Sequence, residues 1–218
     1  MKLKKGKTGF MAIKIDLEKA YDRLEWHFIR DVLELYRLPP SQIKLIMSCV
    51  SSSSISILLN GGKLEPFHPS RGIRQGDPLS PYLFIMCMEV LGFLILRRCE
   101  ENLWDPVQAS RGGQAFSHLF FADDLVLFAK ADLRNSNSMR ETLDTFCELP
   151  GQKVSLDKSK VYFSPNISPD SREEMCEVLS INSTPNLGKY LGLPIKHLGS
   201  TSQDFNFVVE RVQNKLQG

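Results

Sequence analysis

The chain lacks most of the features that announce a function on their own. Its five cysteines, Cys49, Cys87, Cys99, Cys147 and Cys176, are odd in number, and no two stand at C-x-x-C spacing. That argues against a disulfide framework and a thiolate metal site; a reducing compartment, nuclear or cytoplasmic, fits best. The histidines His27, His68, His118 and His197 are scattered without metal-ligand spacing. Charge of one sign is not in excess: 27 Lys and Arg face 25 Asp and Glu, a formal net charge of +2. Any basic footprint for nucleic acid must therefore be local. Long apolar runs are scarce. The one candidate, Leu79 to Leu96, contains Pro81, Glu89 and Gly92 and reads as a core helix, not a membrane span. The basic start, Met1 to Lys7, runs into Thr8 and Gly9 with no apolar stretch behind it, which is not a secretory leader. There is no internal repeat, and the only low-complexity stretch is Ser51 to Ser54.

What is present describes an ordinary globular chain. Its 218 residues are 42% hydrophobic and 24% charged, enough for one sizeable core. Phe10 to Asp16 reads as a buried strand that ends in an acid. Leu24, Phe28, Ile29, Val32, Leu33 and Tyr36 recur at helical spacing, and Pro39-Pro40 stops that helix. Ser41 is expected to cap a second helix. Ser54 to Leu59 is expected to be a strand turning at Asn60-Gly61-Gly62 into a partner near Leu64 to Phe67. Asp77-Pro78 suits the start of a long helix reaching about Glu101. Phe116 to Ala129 reads as a hairpin folded at Ala122-Asp123-Asp124. Helices are expected from Arg134 to Leu149, from Ser168-Pro169-Asp170 to about Leu179, and from Thr201 or Ser202 onward, with a short strand from Lys160 to Ser164. This order is α+β, a central antiparallel sheet packed on helices. Trp26, Phe93, Phe146 and the five cysteines are expected in the core. A boundary is expected near residue 165, with residues 166–218 a separate connecting region.

Four places carry candidate chemistry. Adjacent carboxylates such as Asp123-Asp124 usually mark a solvated turn. Here apolar runs flank them on both sides, and two neighbouring charges in partly apolar surroundings favour a divalent cation. Asp16 closes an apolar strand; it either enters solvent there or faces a site. If the two strands are neighbours, Asp16 and Asp123 converge on one cation cluster, the arrangement of two-metal catalysis. The loop SRGIRQGD, with Arg71, Arg74, Gln75 and Gly76 before a helix start, is either an exposed loop or a phosphate cradle. The lysines of KVSLDKSK form either a solvated face or a phosphate contact.

Together, KIDLEKAYDRLEW, NGG, PSRGIRQGDPLSPYLF, SHLFFADDLVLFA, GQKVSLDKS and KYLGLPI resemble, in order and spacing, the reverse transcriptase domain of non-LTR, LINE-type retrotransposons, and the plant branch in particular. The resemblance implies a right-hand polymerase palm with part of the fingers over residues 1–165. Residues 166–218 would be a palm-to-thumb connection with a primer-grip-like segment at Leu191-Gly192. It implies an RNA-directed DNA polymerase that uses two Mg²⁺ ions, or Mn²⁺, held by Asp16, Asp123 and Asp124. Tyr21 would be the gate against a ribose 2′-OH. Arg74, Gln75 and Gly76 would contact the nucleotide and template, and Lys158 would protonate the leaving pyrophosphate. The implied partners are RNA template, DNA primer and dNTP, with no membrane and no obligate protein partner. Ser155 stands where many relatives have Asn, and Pro150 where a Ser is usual. The family's upstream fingers and endonuclease are not in these residues, and a thumb is at most begun. The alternative is an inactive relic or a domesticated nucleic-acid-binding fragment.

Overall fold

Alternation in FMAIKI determines the centre of the molecule. The computed structural model describes residues 9–108, 112–191, 193, 194 and 213. The run forms β1 (Phe10–Ile15), followed by α1 (Ala20–Arg23), α2 (Trp26–Leu35), α3 (Pro40–Ser51), β2 (Leu58–Leu59) and β3 (Gly62–Lys63). Next come α4 (Ser80–Glu100), β4 (Val107–Gln108), β5 (Ala115–Phe116), β6 (His118–Phe121), β7 (Asp124–Lys130) and α5 (Leu133–Glu148). The described part closes with β8 (Lys160–Phe163), α6 (Pro169–Leu179), β9 (Lys189–Tyr190) and β10 (Leu193–Pro194). The expected last helix from Thr201 or Ser202 lies outside the described residues.

The main sheet has four strands in the order β6-β7-β1-β8, every neighbouring pair antiparallel. Met11, Ile13 and Ile15 of β1, Leu125, Leu127 and Ala129 of β7, and Val161 and Phe163 of β8 turn to one face. There they join a single core with Phe84, Leu91 and Ile95 of α4 and Met139, Leu143 and Phe146 of α5. Ala12, Val126, Phe128 and Tyr162 turn to the other face, where Val107, Phe116, Leu187 and Tyr190 cover part of it. Strands this apolar on both sides give the near-continuous hydrophobic runs seen in the sequence. α6 packs on α5 and contributes Met175 and Leu179 to the main core.

The helix starts use different devices. Asp132 and Ser168 accept the N–H of Asn135 and Ser171 and so cap α5 and α6, satisfying donors that have no partner within the helix. α3 starts at Pro40 without a side-chain cap; Ser41 sits inside its first turn, where the fixed φ of proline already suits the helix. Asp77 caps a preceding turn: its Oδ1 accepts the Leu79 N–H at 2.9 Å, and α4 begins at Ser80.

Three expectations change. The proposed strand from Ser54 to Leu59 shrinks to β2 plus an isolated bridge between Ile55 and Phe67. Its side chains find no opposing layer, and Leu58 is 75% exposed. Phe93 is 52% exposed, whereas Phe146 is buried and Trp26 is packed at the edge of the core: the helical stripe of α4 is wider than the face its neighbours cover. Of the cysteines only Cys87 is buried, and Cys49 is exposed. Among the described residues, no helix is long and apolar enough to cross a membrane.

Candidate active site

Several chain segments meet where β1 ends. The β1–β7 ladder runs from Phe10↔Lys130 to Ile15↔Leu125. The next residue on each strand, Asp16 and Asp124, therefore stand side by side. Ile15 and Leu17 both enter the main core, so alternation turns Asp16, half-buried between them, to the face away from the helices. Lys14 and Asp124 share that face, with Lys14 Nζ 3.9 Å from Asp124 Oδ1. Asp123 is exposed at the turn, which closes through Ala122 at φ +50°. Among the described residues, no three carboxylate, imidazole or thiol groups close into a metal cluster. Like charges keep apart when no cation draws them in, and Lys14 supplies a positive charge to Asp124. Carboxylate oxygens at two neighbouring strand ends are nonetheless the donor type a hard divalent ion takes, so the residues present fit such an ion.

Tyr21 lies on α1, just after this end. Its ring stacks on Phe84 with centroids 4.6 Å apart and an interplanar angle of 13°, which fixes its direction. Burial, and then the nearby charge of Asp123, raise its phenol pKa above the usual value. The phenol therefore stays neutral at physiological pH.

The SRGIRQGD loop docks on the same stretch. Gly72 N–H donates to Leu24 O at 2.7 Å and Ile73 N–H to Tyr21 O at 3.0 Å. Trp26 Nε1–H donates to Gly72 O at 2.7 Å. Gly72 has φ +82°, and a Cβ there would lie 2.8 Å from Asp22 O. This glycine therefore serves the chain's own packing rather than the approach of a ligand. Gly76, at φ +88°, meets open space, and Gln75 beside it is exposed. Arg71 pairs with Glu25 and Arg74 with Asp77, each at 3.6 Å across exposed surface; such pairs hold a side chain weakly. A cleft of about 500 Å³ opens between this loop and the β2–β3 arm, lined by Arg74, Gln75 and Asp77 on one side and Ile55 and Phe67 on the other.

The Gly151–Ser159 segment wraps the other side of Asp16. Ser155 N–H donates to Asp16 O, and Glu18 N–H to Lys153 O, both at 2.8 Å. Gln152 Nε2 donates to Ala20 O at 2.8 Å. Ser159 Oγ accepts the Asp16 N–H at 3.0 Å. Two lysines of the run are engaged locally, Lys153 with Glu18 at 3.2 Å and Lys160 with Asp157 O at 2.7 Å. Lys158 is exposed.

The β9 residue Tyr190 packs on the open-face cluster. Burial, and then the charge of Asp124, raise its pKa. Leu191 follows at φ +51°; Gly192 lies outside the described residues. Asp16, Asp123, Asp124 and Tyr21 thus share one end of the sheet. Gln75 and Gly76 are tied to it through Ile73, and Leu191 through Tyr190. Lys14, Ser159 and Tyr190 were not anticipated. A lysine alternating with buried residues in FMAIKI is a readable signal for Lys14; nothing local in the sequence marks Ser159.

Comparison with known proteins adds the following. The family model described as reverse transcriptase (RNA-dependent DNA polymerase) matches residues 1–195. The chain is 32% identical over 169 residues to the retrovirus-related Pol polyprotein from type-2 retrotransposable element R2DM of Drosophila melanogaster, covering 78% of this chain and 15% of that protein. It is 48% identical over 67 residues to an uncharacterised mitochondrial protein of Arabidopsis thaliana, covering 31% of this chain and 55% of that one. Its fold is similar to that of telomerase from Candida albicans, solved in complex with a TWJ fragment of telomeric RNA: TM-score 0.59 at 16% identity, covering 86% of this chain and 29% of that one.

Proposed function

The chain belongs to the reverse transcriptase (RNA-dependent DNA polymerase) family, and from that premise we propose that it carries the polymerase core of a non-LTR retrotransposon of a plant-like branch. The observation that carries this reading is the β1–β7 register, which sets Asp16 beside Asp124 at one end of the sheet. Asp16, Asp123 and Asp124 hold divalent ions, Mg²⁺ or Mn²⁺. When bound, these ions activate the primer 3′-OH and stabilise the charge of the leaving pyrophosphate. The 3′-OH gives up its proton to solvent as its oxygen bonds the α-phosphate of a dNTP, the bond from that phosphorus to pyrophosphate breaks, and Lys158 Nζ gives a proton to the leaving oxygen. Tyr21, braced on Phe84, closes the space a ribose 2′-OH would need. Arg74, Gln75 and Gly76 contact the nucleotide and the RNA template. Leu191 and Gly192 support the DNA primer. In this reading residues 1–165 are palm with part of the fingers, and residues 166–218 lead to a thumb.

Primer extension on an RNA template tests the reading: the parent extends a DNA primer and Asp123→Asn does not. Equal activity of the two proteins rejects it. A second reading, a nucleic-acid-binding fragment without catalysis, draws support from the Lys14–Asp124 pair, which occupies a carboxylate that chemistry would need free. It expects salt-sensitive RNA binding that is unchanged in Asp123→Asn.

A further inference from the structure

β1 is held at both ends by a serine hydroxyl. Ser164 Oγ accepts the Phe10 N–H at 2.9 Å, and Ser159 Oγ accepts the Asp16 N–H at 3.0 Å. Both serines are buried, Ser159 completely. The β1–β8 ladder stops at Lys14↔Lys160, so the Ser159 hydroxyl takes over where strand pairing ends. The same loop holds the other half of the Asp16 backbone: Ser155 N–H donates to Asp16 O at 2.8 Å, and Ser159 N–H donates to Ser155 O at 2.9 Å. Asp16, Ser155 and Ser159 thereby form a closed ring of hydrogen bonds. The aim of a carboxylate follows from the two peptide planes that flank its Cα. With both planes anchored to one loop, φ and ψ of Asp16 have little freedom. Removing the hydroxyl would leave a sheltered N–H without its acceptor, and the backbone would tilt to find another.

We propose that Ser159 is a positioning residue: with the Ser155 backbone it holds both peptide planes of Asp16 and so aims the Asp16 carboxylate. This rests on the reading of Asp16 as an ion-holding carboxylate. Ser164 is the internal control, because it makes the same kind of bond to the same strand at the end away from the carboxylates.

The test uses the 218-residue chain with an RNA template and DNA primer. Mn²⁺ affinity is read from the spin-resonance signal of the free ion, primer extension from kcat and KM, and folding from Tm. Ser159→Ala is expected to weaken Mn²⁺ binding about 10-fold or more, the scale for losing a support behind a metal ligand. It is expected to lower kcat about 10- to 100-fold, with the KM for dNTP nearly unchanged. Ser159→Thr, which keeps the oxygen, restores both. Ser164→Ala lowers Tm comparably and leaves Mn²⁺ affinity at the parent value. Equal Mn²⁺ affinity in Ser159→Ala and Ser164→Ala overturns the proposal. If Ser159→Ala does not fold, Ser159→Cys replaces it as a weaker acceptor, and parental Mn²⁺ affinity in that variant also overturns it. Asp16→Asn separates the two failures. If it leaves Mn²⁺ binding intact, the reading of Asp16 fails and the proposal with it. If it weakens binding while Ser159→Ala does not, only the role of Ser159 is lost.

Discussion

Two of the hairpins among the described residues, β2–β3 and β6–β7, turn on opposite logic. β2–β3 has the strongest local signal, Asn60-Gly61, with both residues at positive φ, the arrangement of a two-residue primed turn. Yet its ladder is just Leu58↔Lys63 and Leu59↔Gly62, with an isolated bridge at Ile55↔Phe67 beyond it, and it stays exposed. β6–β7 turns at Ala122-Asp123, where Ala122 holds φ +50° without glycine's freedom. It nevertheless pairs from Phe121↔Asp124 to His118↔Leu127, and β7 pairs with β1 on its other edge. Turn chemistry nucleates a hairpin. Burial of its side chains decides whether the hairpin becomes part of the core.

The largest break in this comparison comes from replacing the polar side chain at each turn. Asp123→Asn is expected to lower primer extension by about 10²–10³-fold, the scale for losing one electrostatic partner of a transition state. Asn60→Ala is expected to change it less than about 3-fold, since that turn makes no part of the sheet. Single-turnover extension compares the two. Next in size is packing. Leu127→Ala, at a fully buried position of β7, is expected to cost about 2–5 kcal/mol. Leu58→Ala, at the exposed arm, should stay within about 0.5 kcal/mol; urea unfolding reads both.

Glycines sharpen the contrast further. Gly72→Ala places a Cβ 2.8 Å from a backbone oxygen at φ +82° and is expected to cost about 2–4 kcal/mol. Gly61→Ala has the same backbone problem but nothing within 4 Å, and about 1–2 kcal/mol is expected. Comparable losses in the two would remove the close approach to Asp22 as the reason for Gly72. The smallest effect concerns pH. Burial lowers the His118 pKa from 6.5, opposed by Glu89. The unfolded chain therefore binds the proton more readily, and stability falls as pH drops below about 6.5 toward the folded value. His118→Gln should flatten that part of the pH–stability curve, with no counterpart in the β2–β3 arm.

The acids that meet at one end of the sheet were legible because their types are unusual where they stand: Asp16 closing an apolar strand, and Asp123-Asp124 between apolar runs. The strands of the main sheet and the body of α5 were legible from period, and the start of α6 from its Ser168-Pro169 cap. The arm was overcalled. Its residues have strand character, but no layer packs on them. The role of Gly72 could not be read, because a glycine needed for contact with Asp22 looks in sequence like one left open for a ligand. Ser159 was invisible, since its hydrogen bond spans 143 positions of sequence.

The sequence by itself determined the α+β class, the alternating strands, the capped helices and the acids at strand ends, because each follows from period, capping and local charge. Tertiary structure alone decided that β1 lies between β7 and β8, that Asp16 and Asp124 are therefore neighbours, and that the loops at Gly72 and Ser159 clamp the chain between them. The physical reason is register. Pairing two strands at a particular offset depends on burying both faces of the sheet at once, a sum over contacts that no single stretch of chain contains.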